Sequence, residues 1–86
     1  MAKKVENKKG FLVMEVSAIE CVEKLSGAAI CDSCNGSAMS GYYIAALNHW
    51  VCPKCYEEWM ERAKRYPEDI PIEERNYNHY SKILGI

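Results

Sequence analysis

Two C-x2-C pairs, Cys31-Asp32-Ser33-Cys34 and Cys52-Pro53-Lys54-Cys55, stand 17 residues apart in a chain of 86. A chain this short buries little apolar surface and needs a staple beyond its core. Its five cysteines offer disulfides or a metal, and their arrangement decides between the two. Two cysteines three apart on a tight turn can bring both sulfurs to about 2.3 Å from one tetrahedral ion, while the intervening residues hold a hairpin. The pattern therefore predicts one structural zinc ion held by Cys31, Cys34, Cys52 and Cys55. Four thiolates also suit iron, because the ligand set alone does not choose the metal.

The compartment follows from what the chain does not carry. The apolar run over residues 11–16 is interrupted by Glu15 and followed by Glu20 and Glu23, so no signal peptide is readable, and no run is long enough to span a bilayer. The expectation is a cytoplasmic protein without membrane contact, in which thiols stay reduced and available to metal. Cys21 stands outside both C-x2-C pairs and beside an apolar helix face, so it is read as core. His49 lies three residues before Cys52 and has ligand spacing too. With His49 as a ligand, Cys55 would stand outside the site, whereas the four cysteines use both pairs without remainder.

Along the chain, residues 1–10 carry Lys3, Lys4, Lys8 and Lys9 and little that is apolar, which reads as a flexible basic tail. Residues 11–86 form one zinc-stabilised domain. Its first part, 11–30, is a β-α unit: a strand over 11–16, then a helix opened by a Ser17/Glu20 capping box, with Ala18, Val22 and Leu25 on one face and Gly27 as the stop. Residues 42–47 read as a strand, a turn follows over 47–50, and Trp50-Val51 returns antiparallel. Pro53 suits the first turn of a helix whose apolar positions are Tyr56, Trp59, Met60 and Ala63, continued by Tyr66 and ended by Pro67. Glu58–Arg62 and Glu61–Arg65 are spaced to pair along it. Residues 68–71 read as a linker, and Ile72, His79, Tyr80 and Ile83 line a last, shorter helix. The fold class is a small α+β zinc-binding domain.

A turn-borne pair, a hairpin and a second pair opening a helix resemble the treble-clef zinc fingers, and the C-x2-C-x17-C-x2-C spacing resembles GATA-type fingers in particular. LIM domains are another treble-clef example. The resemblance covers about residues 31–66 and implies the knuckle–hairpin–helix order, with Cys31, Cys34, Cys52 and Cys55 as ligands. GATA-like fingers use a basic segment beyond the helix to bind DNA, but here residues 67–74 are Pro-Glu-Asp-Ile-Pro-Ile-Glu-Glu.

That acidic stretch weighs on function. The formal charge is -1, and four thiolates around a divalent ion make it about -3. Nucleic-acid binding needs clustered, unneutralised positive charge, so it is the alternative rather than the first reading. A filled four-cysteine tetrahedron has no open position for catalysis, and no nucleophile–base arrangement stands out, so no enzymatic activity is expected. The first reading is a protein-interaction, adaptor or regulatory module whose partner is another protein or itself. Tyr42, Tyr43, Tyr77 and Tyr80 are the candidate contact residues, while Trp50, Tyr56 and Trp59 are expected to pack around the zinc lobe.

Overall fold

The apolar, β-branched segment after residue 10 forms strand β2 (Val13–Ser17). In the computed structural model, which describes residues 2–24 and 30–86, β2 lies inside an antiparallel sheet of order β1-β2-β3-β4. Its neighbours are β1 (Lys3–Val5) and β3 (Ser40–Ile44). The hairpin expected from the sequence closes the sheet with β4 (His49–Val51), pairing Tyr42 with Val51 and Tyr43 with Trp50. Asn48 turns the chain with a left-handed φ of 55°, a conformation asparagine tolerates better than most residues.

Strand β1 corrects the expectation of a flexible tail over residues 1–10. Lys3 stands opposite Glu15 and Val5 opposite Val13, Ala2 is buried, and the Lys4 ammonium lies 5.7 Å from the centre of the Tyr77 ring. The lysines thus sit on an edge strand, where charged side chains keep other chains from pairing. Lys9 is also held, its Nζ donating to the Ala63 carbonyl at 2.7 Å.

The sheet is covered on both faces because alternate residues of each strand feed different clusters. Met14, Val16, Tyr43 and Trp50 join Cys21 and Leu84 on one face. Val13, Ile44 and Val51 join Phe11 and Cys31 on the other. Helix α1 (Ala18–Lys24) belongs to the first face. Its capping box is present: the Glu20 amide donates to Ser17 Oγ at 3.2 Å and the Ser17 amide to Glu20 Oε1 at 3.5 Å. The buried residue of α1 is Cys21, whereas Val22, expected on the inner face, is half exposed. The expected Leu25 contact and Gly27 stop lie outside the described residues.

Helix α2 (Pro53–Arg62) packs Tyr56, Trp59 and Met60 on the second face, as its periodicity predicts. It ends at Arg62 rather than at Pro67, because Ala63 turns to an extended conformation (φ -70°, ψ 143°) with its carbonyl held by Lys9. Arg65 then leaves the helix and pairs with Glu73 instead of Glu61. A 3-10 turn (Pro67–Asp69) replaces the expected linker and leads into α3 (Ile70–Leu84). This last helix is the longest, not a short one. Tyr80 packs on the core as expected, but the rest of the inner face differs: Glu73, Ser81 and Leu84 are buried, while Ile72, His79 and Ile83 are exposed.

Candidate metal centre

The first cysteine pair is carried by a tight turn in which the Asn35 amide donates to the Cys31 carbonyl at 2.9 Å and the Cys31 amide to the Gly36 carbonyl at 2.8 Å. Asn35 takes a φ of 62°, a left-handed conformation that asparagine tolerates, and so closes the loop. The Ser33 and Cys34 amides point at Cys31 Sγ, at 3.3 and 3.4 Å. Gly36 leaves room beside Cys34: a Cβ there would lie 3.3 Å from its sulfur.

The second pair stands at the start of α2. Cys52 is the N-cap, Pro53 occupies the first turn, and Cys55 follows in the same turn, where the helix end favours negative charge. Asp32 holds the two halves together. Its amide donates to the Trp50 carbonyl at 3.0 Å, and its Oδ2 accepts the Trp50 amide at 3.0 Å. Sequence reasoning missed this residue, since an aspartate between two cysteines has no pattern to mark it.

All four sulfurs lie within 4.8 Å of one another, and Cys34 Sγ and Cys52 Sγ are 3.9 Å apart. A tetrahedron with bonds of about 2.3 Å has sulfur–sulfur edges of about 3.8 Å, so the donors fit a single ion. The group contains Cys55 and not His49. His49 opens β4 and lines a depression beside Cys55 with Arg62 and Trp59. Cys21 lies in the cluster on the opposite face of the sheet, as its reading as core requires.

Proton release differs between Cys31 and Cys55. Burial alone would push the Cys31 thiol up, but the amides of Cys34, Cys52 and Ser33 outweigh it and bring it down to about 6. Sulfur contacts with Cys52 first, then Cys34, push Cys55 up to about 12. Cys55 therefore resists losing its proton among the neighbouring sulfurs, and a bound cation would favour that loss.

The aromatic residues divide differently from the expectation. Tyr56 and Trp59 pack on the metal side of the sheet, with Trp59 against Phe11 at 4.6 Å between ring centres. Trp50 packs on the opposite face, where its Nε1 donates to the Val16 carbonyl at 3.0 Å. Of the four tyrosines read as contact candidates, Tyr43 is buried and donates its hydroxyl to Asn48 Oδ1 at 2.7 Å. Burial, with Tyr80 nearby, pushes its phenol well above the usual range. Tyr42 stacks on Tyr56 at 4.3 Å, and Tyr77 and Tyr80 pack against the first core cluster. Tyr43 is thus taken up inside the fold, whereas Tyr42, Tyr77 and Tyr80 pack against it and stay partly exposed.

Among the described residues, no helix is long and apolar enough to cross a membrane. The fold and the site define a small α+β protein with a four-cysteine centre positioned to hold one metal ion, consistent with zinc. No protein-family model, curated protein or solved structure matches the chain.

Proposed function

We propose that this protein is a treble-clef-like module in which one zinc ion has a structural role, and that it works by binding protein in the cytoplasm rather than by catalysis. The observation that carries the reading is the gathering of Cys31, Cys34, Cys52 and Cys55 into one group of four sulfurs. The order of knuckle, β3–β4 hairpin and α2, with Cys52 and Cys55 at the helix start, supports the treble-clef likeness. Four thiolates around one zinc leave no position for substrate, which supports a role in holding the fold.

Protein contact draws support from exposed apolar side chains rather than from the tyrosines. Ile19, Val22 and Met39 line one open depression along α1, and Met39 is 83% exposed. Nucleic-acid binding by a GATA-like regulator is the second reading, but the amino-terminal lysines that favour it are partly engaged within the protein, Lys4 on Tyr77 and Lys9 on Ala63.

Metal analysis and two binding experiments test the proposal. The purified protein is expected to contain one zinc per chain and to lose its near-ultraviolet circular dichroism when a strong chelator removes it. Sedimentation over a concentration series, or crosslinking to a partner, is expected to depend on Met39 and Val22, with Met39→Glu abolishing association. Tight, salt-sensitive retardation of a DNA or RNA duplex by the zinc-loaded protein would replace protein binding with the second reading.

A further inference from the structure

The four sulfurs are not equally covered. Cys31 is fully buried, Cys52 and Cys55 are half-buried, and Cys34 is exposed. Cys31 Sγ already accepts two backbone amides, those of Ser33 and Cys34. Cys34 Sγ, by contrast, faces Cys52 Sγ at 3.9 Å, across the seam between the knuckle and the start of α2. Gly36 adds no side chain that would shield Cys34. Metal ligation would make all four sulfurs thiolates, so access selects the one that an oxidant reaches first.

We infer that Cys34 and Cys52 form an oxidative modification site: a hydroperoxide enters at Cys34, and the product is a Cys34–Cys52 disulfide with release of the metal. The Cys34 thiolate attacks the peroxide, breaking the O–O bond; it becomes a sulfenic acid, and water or an alcohol leaves with a proton. The Cys52 thiolate then attacks the Cys34 sulfur, forming the S–S bond and expelling hydroxide, which takes up a proton to become water. The two thiolates lose two electrons in total, and the hydroperoxide gains them. Cys31 and Cys55 alone remain as ligands, too few to keep the ion from a competing chelator.

The choice of pair matters because each C-x2-C unit is itself a plausible disulfide. A bond within a unit would add no covalent link between the knuckle and α2 once the ion departs, leaving the Asp32–Trp50 hydrogen bonds to join them. The Cys34–Cys52 bond instead ties the knuckle to α2 and keeps the β3–β4 hairpin enclosed. The oxidised chain therefore retains its sheet, and a thiol reductant with added zinc restores the original state.

This inference rests on the zinc reading above, and the experiment separates the two. Zinc-loaded protein, its metal content measured first, is treated with stepwise additions of hydrogen peroxide in the presence of a coloured zinc indicator. The products are mapped by mass spectrometry of proteolytic peptides. One zinc per chain is expected to be released in step with the loss of two hydrogen atoms and the appearance of a peptide joining Cys34 to Cys52. Cys21→Ser, which leaves all four sulfurs in place, is expected to give the same map and the same release. A Cys31–Cys34 or Cys52–Cys55 bond, release that depends on Cys21, or oxidation with the zinc retained overturns the assigned pair and leaves the zinc reading standing. Protein that purifies without metal, and takes up none, overturns both.

Discussion

Arg65 and Glu73 form an ion pair whose carboxylate is almost fully enclosed: Arg65 Nη2 meets Glu73 Oε1 at 2.6 Å, and the Glu73 side chain is 1% exposed. The second carboxylate oxygen accepts the Leu12 amide at 3.1 Å. One side chain thus links α3 to the segment after α2 and to the residue preceding β2. Taking one partner from a buried pair strands the other charge and costs several kcal/mol, but the Arg65 side chain is 31% exposed, and water screens part of that cost.

Arg65→Met is therefore expected to destabilise the zinc-loaded protein by about 2 kcal/mol. Glu73→Gln should be milder than Glu73→Ala, because the amide oxygen still accepts from Leu12. Urea unfolding at fixed zinc concentration measures both comparisons. An Arg65→Met midpoint equal to that of the native protein would show that the pair contributes nothing.

Gly41 permits a close approach that no other residue allows. A Cβ there would come within 2.7 Å of the Trp50 ring and would strike the Val51 carbonyl. Trp50 crosses this position to reach the Val16 carbonyl, and Val16 is the residue paired with Gly41 in the β2–β3 ladder. Gly41→Ala is expected to cost about 2 kcal/mol through overpacking and to redden Trp50 emission as the indole loses its buried bond. Unchanged emission with unchanged stability would mean that the ring has room to move.

The parts of this structure that were legible in the sequence are those written by local chemistry. Cysteine spacing specifies a knuckle, Ser17 and Glu20 specify a helix start, and Pro53 with the Tyr56/Trp59/Met60 spacing specifies α2. The rest depends on partners distant in the chain. Strand β1 looked like a solvated tail because Lys3 and Lys4 are the residues an edge strand uses, and only pairing with Glu15 and Val13 makes it a strand. Residues 76–79 are poor helix formers, yet Asn76 Nδ2 donates to the Ala45 carbonyl at 3.1 Å, and Tyr77 and Tyr80 pack on the core. Tyr43 looked available for a partner because nothing in its sequence neighbourhood announces that Asn48 will accept its hydroxyl.

Glu20 gives a prediction in pH. Burial acts to raise its pKa, but the hydrogen bonds from the Ala2 amide and from Ser17 prevail and hold the carboxyl below its ordinary 4.5. A carboxylate favoured in the folded state contributes stability above its unfolded pKa and loses it as pH falls through the lower folded value. Stability is expected to decline on the acid side of 4.5, and Glu20→Gln should flatten that part of the decline while lowering stability at neutral pH. Thermal unfolding at a series of acidic pH values, with metal content checked at each, compares the two slopes; parallel slopes would remove Glu20 as their source.

The two cysteines of the knuckle should differ in what their loss costs. Cys31 is buried, and its sulfur satisfies the Ser33 and Cys34 amides. Cys31→Ser therefore removes a ligand and also leaves amide donors badly matched inside the fold, at about 1–3 kcal/mol for each unsatisfied group. Cys34 is exposed, so water can take the place its sulfur leaves at the edge of the site. Both variants are expected to bind zinc more weakly than the native chain in competition with a chelator of known affinity. Cys31→Ser should be the weaker by tenfold or more, since about 1.4 kcal/mol is a factor of ten in binding. Equal affinities for the two variants would mean that burial of Cys31 adds nothing to its role as a ligand.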